Sequence, residues 1–153
     1  NQKKDSIWKS YTPEGRLNEI SRYKNGKLNG FKQLYYVSGK LAQYNTIIHS
    51  VQKFSNGVED GPFFEYFMNG KIKIKGKYSN GFKDGLWEVF DANGINIISE
   101  RYKNKKKNGW FCYRNNKNEI TLKQYYFDGK ILKGKLREQK ILELKKQEVN
   151  SNN

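Results

Sequence analysis

Cys112 is the single cysteine and His49 the single histidine among 153 residues, so nucleophilic chemistry of the thiol–imidazole kind would have to unite these two. A thiol or hydroxyl nucleophile needs a base within hydrogen-bond reach. The two stand far apart in the sequence, and no local pair forms. Asp60, Asp84 and Glu88 could supply a carboxylate pair for acid–base work. However, Asp60 and Asp84 each immediately precede a glycine, Gly61 and Gly85, at equivalent places, where turn chemistry already accounts for them. One His and one Cys cannot build a Cys/His zinc site, and no Gly-x-x-x-x-Gly-Lys-Ser phosphate loop is present. The residues therefore predict a chain that is not an enzyme, with no metal, no cofactor and no small-molecule substrate.

The information lies instead in repetition. The segments Tyr23-Lys-Asn-Gly26-Lys-Leu-Asn-Gly30, Phe54-Ser-Asn-Gly57-Val-Glu-Asp-Gly61, Tyr78-Ser-Asn-Gly81-Phe-Lys-Asp-Gly85 and Tyr102-Lys-Asn-Lys105-Lys-Lys-Asn-Gly109 align, with a looser fifth copy at Tyr126-Phe-Asp-Gly129. Their turn positions, 26, 57, 81, 105 and 129, are spaced 31, 24, 24 and 24 residues apart. A second series runs in phase with them, at Gly15, Gly39, Gly70, Gly94 and Asn118. Asn-Gly and Asp-Gly supply the positive backbone angles that tight hairpins require, and Asn tolerates them best among other residues. Lys105 breaks the rule, which predicts a distorted turn there.

Between turns the segments are short and rich in aromatic and β-branched residues, as strands are. Seven positions before each second turn stand Trp8, Lys32, Phe63, Trp87 and Phe111; four before it stand Tyr11, Tyr35, Tyr66, Phe90 and Arg114. Return strands add Leu17, Leu41, Ile72 and Ile120 in one row and Tyr23, Phe54, Tyr78, Tyr102 and Tyr126 in another. These aromatic ladders read as the core stripe, with a recognition face for ligand or nucleic acid as the alternative. Composition agrees: hydrophobic residues are only 35% of the chain but aromatics 15%, so rings replace aliphatic bulk. The expected fold is all-β, an elongated single-layer antiparallel meander or solenoid of about five two-stranded repeats and roughly ten strands, with a C-terminal helical cap.

This pattern resembles the MORN-repeat-variant family, whose units carry an asparagine-glycine turn, a downstream glycine, an aromatic and a second such turn. The resemblance covers residues 7–134 and departs at Lys32, Lys105, Arg114 and seven extra residues in the second unit. It implies a β-sheet solenoid used for protein or membrane attachment, with antitoxin or immunity proteins and envelope lipoproteins among similar bacterial chains. The expected division is a tether over 1–6, repeats over 7–134 (units 7–30, 31–61, 62–85, 86–109 and 110–134), and a helix or tail over 135–153.

Partner choice should fall where the repeat breaks. The extra residues around Tyr44-Asn-Thr-Ile-Ile-His-Ser-Val-Gln-Lys53 predict a protruding Ile47, Ile48 and His49 as contact points. Lys103, Lys105, Lys106 and Lys107 form a local basic cluster. After Gly134, good helix formers place Leu136, Ile141, Leu144 and Val149 unevenly around a helix, expected to lie over the last strand edge and block edge-to-edge aggregation.

Thirty Lys and Arg against fifteen Asp and Glu give a formal charge of +15. That balance favours acidic proteins, anionic lipid surfaces or polyanions, while no base-reading motif supports nucleic acid. The polar start from Asn1 to Ser6 resembles the tether that follows a lipidated cysteine. The reading is a non-catalytic protein-interaction scaffold in a bacterial cell-envelope or outer-membrane complex, lipoprotein-like. An antitoxin or immunity protein, a cytoplasmic location and an anionic-lipid binder are the alternatives.

Overall fold

Two-residue turns set the architecture. The computed structural model describes residues 4–38 and 46–151. Within them Asn25-Gly26, Asn56-Gly57, Asn80-Gly81 and Asp128-Gly129 each put two successive residues at positive φ, 49–53° and then 79–89°. This is the turn whose twist matches the strands it joins. The described strands are β1 (Ser6–Tyr11), β2 (Leu17–Lys24), β3 (Lys27–Tyr35), β4 (Ile48–Ser55), β5 (Val58–Tyr66) and β6 (Ile72–Ser79). They continue as β7 (Phe82–Phe90), β8 (Asn96–Lys103), β9 (Lys106–Lys107), β10 (Gly109–Arg114), β11 (Ile120–Phe127) and β12 (Lys130–Leu132). One helix, α1, covers Gly134–Ser151.

All these strands join one open antiparallel sheet in sequence order, with the short β9 pairing β8 beside β10. The fold is the single-layer meander that the repeats predict. Ten strands become twelve for two reasons. Asn108 interrupts what would be one strand, separating β9 from β10, and the short β12 adds a third strand to the fifth unit, paired with β11. The second turn series is present too: Gly15, Gly70, Gly94 and Asn118 take positive φ, and the amide of each bonds back to the carbonyl three residues earlier. Gly39 and Leu41 lie outside the described residues.

Lys105 corrects the expectation of a distorted turn. Asn104 and Lys105 sit at φ 50° and 67°, the geometry of the glycine turns. The surrounding ladder imposes the conformation on a residue that does not favour it.

The sheet has two unlike faces. On the first, here the ring face, Trp87 is 4% exposed and Phe111 1%. The Trp87 indole stacks on Phe63 at 5.6 Å between centroids and meets Tyr78 edge-on at 4.9 Å, while Phe111 meets Tyr102 at 5.7 Å and Tyr126 at 4.6 Å. Gly76 makes room for the indole: a Cβ there would lie 2.3 Å from the Trp87 ring. A single layer cannot bury such rings under a second sheet, and lysines cover them instead. Lys4 lies over Trp8 and Tyr23, Lys83 over Trp87 and Tyr102, and Lys107 over Phe111 and Tyr126, all within 4.4–5.3 Å of the ring centroids. Each ammonium stays near water while its stem roofs the rings.

Lys32 interrupts this row. Its ammonium pairs with Glu19 at 2.9 Å, and Glu19 also accepts the hydroxyl of Ser21, which is 1% exposed. Burial alone would raise the Glu19 pKa, but the Ser21 and Lys32 hydrogen bonds outweigh it and the carboxyl is held below its ordinary value.

The second predicted ladder is on the other face. Strand alternation carries Tyr66 and Phe90 to the side opposite Phe63 and Trp87. There Tyr66 stacks on Phe64, and Lys75 lies over Phe90 at 5.2 Å. Tyr11, Tyr35, Tyr66, Phe90 and Arg114 each mark a register shift against the next strand. Arg114 replaces the ring with a hydrogen bond to Asn96 at 2.9 Å, and Asn96 in turn bonds Glu88.

Candidate functional site

On the face opposite the buried rings, the third residue before each two-residue turn is a cation: Arg22, Lys53, Lys77 and Arg101. Register puts an apolar neighbour beside each one. Ile7 pairs with Arg22, Phe31 with Lys53, Pro62 with Lys77 and Leu86 with Arg101. Because antiparallel partners share a face, the result is a row crossing the sheet in which basic and apolar residues alternate. Neighbouring strands lie roughly 4.8 Å apart, so successive cations recur about every 10 Å.

The downstream glycine positions three of these cations. Gly30, Gly61, Gly85 and Gly109 have positive φ. Added Cβ atoms at Gly30, Gly61 and Gly109 would lie 2.9, 2.6 and 3.1 Å from the Cδ of Arg22, Lys53 and Arg101. The register shift opposite each of Arg22 and Lys53 is the bulge that these glycines permit. The basic stem thus lies across bare backbone, with its head in solvent.

All four cations are exposed. Lys77 has Asp84 at 3.6 Å. Arg22, Lys53 and Arg101 make no side-chain hydrogen bond or ion pair among the described residues. By contrast, the strand carboxylates Glu19, Glu65 and Glu88 are engaged by Lys32, Lys73 and Lys75 at 2.7–2.9 Å. The hydrogen bond and charge of Glu65 also raise the Lys73 pKa. Glu100 accepts the hydroxyls of Tyr102 and Tyr113 at 3.0 and 3.1 Å. Three of the four cations on the row are thus unpaired among the described residues, and the apolar residues between are open: Ile7 is 53% exposed, Phe31 48% and Leu86 39%. A shallow cleft of about 410 Å³ lies among Ile7, Ile20, Arg22, Gly30, Phe31 and Gln33.

The row ends at the fifth repeat, where Tyr125 stands in the cationic position. Trp110 meets Tyr125 edge-on at 5.1 Å, and α1 lies against this end of the face. Arg137 sits over Trp110 at 5.8 Å and Lys140 over Phe127 at 4.2 Å. Arg137, Lys140, Ile141 and Leu144 are the half-covered residues of the helix, a single helical stripe. Leu136, at 60% exposure, faces away, and Val149 lies beyond the described side chains. The helix contacts fall on Trp110 of β10 and Phe127 of β11, on the face opposite the buried rings, whereas the sequence predicts a lid on the last strand edge.

The residues singled out by the broken repeat are placed differently. Ile48 and His49 belong to β4, Tyr35 pairs with Ile48, and the His49 ring packs edge-on against Tyr36 at 4.8 Å. The Tyr36 amide donates a hydrogen bond to the Ile47 carbonyl, carrying the pairing of β3 and β4 one step past the strands. Ile47 and Ile48 do line a cleft of about 550 Å³ with Tyr66 and Met68. In the basic cluster Lys105 lies over Phe82 at 4.1 Å, Lys106 pairs with Asp128 at 2.9 Å, and Lys107 roofs two rings. Lys103 alone of the four is an exposed cation with no such contact among the described residues. Cys112 is buried on β10, in another element from His49. Among the described residues no group of three or more His, Cys, Asp or Glu could hold a metal ion.

Sequence could have shown the basic row, since Arg22, Lys53, Lys77 and Arg101 keep the spacings of the turns themselves. The eye is drawn to glycines and rings, which mark the fold.

The family model described as MORN repeat variant matches residues 4–29 and 59–80. No curated protein matches the chain. Among solved structures, it is similar to accessory secretory protein 1, 2 and 3 of Streptococcus pneumoniae, at 18% identity and a TM-score of 0.39, covering 74% of this chain and 20% of that one. It is also similar to a mutant of S. aureus TarM in complex with fondaparinux, alpha-GlcNAc-glycerol and UDP, at 12% identity and a TM-score of 0.40, covering 71% and 20%. The chain spans about a fifth of the length of these structures, and likenesses this weak do not bear on its function. The two matched segments hold β1–β2 and β5–β6, whose turns and rows the other units reproduce, and the match suggests a repeat-containing binding or scaffold protein.

Proposed function

We propose that this chain is a non-catalytic scaffold that holds an acidic protein partner on the face opposite the buried rings. One observation carries the reading: a cation in every one of four successive repeats, three of them unpaired among the described residues, alternating with exposed Ile7, Phe31 and Leu86. Exposed charges alone favour encounter and orientation more than affinity. Apolar residues between them supply the area that an interface core needs. Its membership of an envelope complex is the part of the proposal that rests on family resemblance.

The test compares native complexes purified with the wild-type chain and with an R22S/K53S/R101S variant. The wild type should retain a stoichiometric protein companion that the variant loses, with thermal unfolding of the two matching within about 2 °C, as expected of exposed substitutions. A companion held equally by the variant would refute this face as the interface. Should the companion be a toxin that the chain silences, the scaffold is an immunity protein. The +15 charge favours a second reading, attachment to anionic lipid. It predicts binding of phosphatidylglycerol vesicles that collapses as salt rises.

A further inference from the structure

We infer that the N-terminal end of the basic row, over β1–β4, takes an acidic amphipathic helix of the partner. This deepens the proposed scaffold function and rests on it. Three observations on the one face meet here. First, that face already seats a helix at its other end, where α1 lies against Trp110 and Phe127 through Arg137 and Lys140. Second, the charge logic inverts along the row. Where the repeat position holds Tyr125, the seated helix presents cations to rings. Where the position holds Arg22 and Lys53, unpaired among the described residues, the complementary helix must present carboxylates.

Third, the spacing suits a helix laid along the row. Ile7 and Phe31, the most exposed apolar members of the row, flank Arg22. Ile7 and Phe31 stand two strands apart, roughly 9.6 Å, with the cation midway. A helix repeats one face about every 10.5 Å over seven residues and brings residues three or four along midway between. Apolar residues at i and i+7 would then enter the cleft beside Ile7 and Phe31, and acids at i+3 or i+4 and at i+11 would reach Arg22 and Lys53. The twelve residues from i to i+11 cover about 16.5 Å, so a peptide of about 14 spans the site with a residue to spare at each end. A second copy of this chain does not fit, because its own helix brings Arg137 and Lys140 to a face that is already basic.

The test uses three fluorescein-labelled 14-residue peptides and fluorescence anisotropy on the full chain. One carries the leucine and glutamate stripe, one has the same composition scrambled, and one replaces each stripe glutamate with lysine. The striped acidic peptide should bind about tenfold or more tightly than the scrambled one, the size expected when several exposed pairs act with an apolar contact. An R22E/K53E variant, shown folded by its circular dichroism melt, should lose that peptide and bind the lysine peptide instead. Equal binding of striped and scrambled peptides overturns the helix while leaving an acidic protein partner in place. If no acidic peptide binds but phosphatidylglycerol vesicles do, in a manner abolished by R22E/K53E, both the inference and the scaffold reading fall. If none of these probes binds, the inference falls.

Discussion

The Lys83 ammonium lies 4.4 Å from the centre of the Trp87 ring and 5.3 Å from that of Tyr102, bridging two strands of the ring face. Lys4 and Lys107 repeat the arrangement in their own units. The stability of this single layer thus rests on buried rings roofed by aliphatic stems. Trp87→Ala should cost about 3–5 kcal/mol, as loss of a buried large ring does. Lys83→Met, which keeps the stem and removes the charge, should cost about 0.5–1 kcal/mol. Urea unfolding measures both. An effect of Lys83→Met as large as that of Trp87→Ala would show that the charge, and not the ring, holds the sheet.

Gly76 serves packing, unlike the glycines of the turns. Its added Cβ would lie 2.3–2.7 Å from three atoms of the Trp87 ring, so Gly76→Ala should destabilise by about 1–3 kcal/mol through overpacking. Pairing it with Trp87→Leu should cost less than the sum of the two single changes, because both act on one contact. Strict additivity in a double-mutant cycle would contradict the geometry.

Lys105 occupies a left-handed position that glycine takes in the equivalent turns. Lys105→Gly should raise stability by about 0.5–1 kcal/mol, since the strain removed is larger than the exposed contact with Phe82 that is lost. A fall in the urea midpoint would mean that this ring contact outweighs the backbone strain.

The tyrosines of the sheet make stability sensitive to alkali. Burial, reinforced by hydrogen bonds to Glu100, raises the phenol pKa values of Tyr102 and Tyr113 above the ordinary 10.0, and burial raises those of Tyr35 and Tyr78. The folded chain therefore holds these protons more tightly than the unfolded one. Their contribution is complete below pH 10 and is lost as pH rises above it. Glu19, lowered in the folded chain, acts oppositely, with a contribution present above its ordinary value of 4.5 and lost as pH falls below it. The urea midpoint should be flat across neutral pH and decline above about pH 10, less steeply in Tyr102→Phe. An unchanged alkaline decline in that variant would remove Tyr102 from the account.

Much of this fold is legible in the sequence because turn chemistry is local. Asn25-Gly26, Asn56-Gly57 and Asn80-Gly81 announce their backbone angles wherever they occur. Trp87 and Phe111 are likewise visible as a row, but their burial depends on Gly76 and on roofing lysines across strands, which no single segment reveals. Lys105 misleads for the same reason, since ladder pairing on both sides overrides its local preference. The interaction face is harder to see. Arg22 and Lys53 read as solvated lysine-rich surface until register places Ile7 and Phe31 beside them. Likewise Lys106 and Lys107 look like free charge but contact Asp128 and the rings of Phe111 and Tyr126.

The central claim is that partners meet the basic and apolar row and not the ring face. Photo-crosslinking in native cells tests it most directly, with a benzophenone amino acid placed at exposed Phe31 or Leu86 on the row, and at exposed Trp8 on the ring face as the control. The account predicts one abundant protein adduct from Phe31 and Leu86, lost on changing Arg22 and Lys53 to glutamate, with little from Trp8. The same adduct from the control position, unaffected by those charge changes, would contradict it.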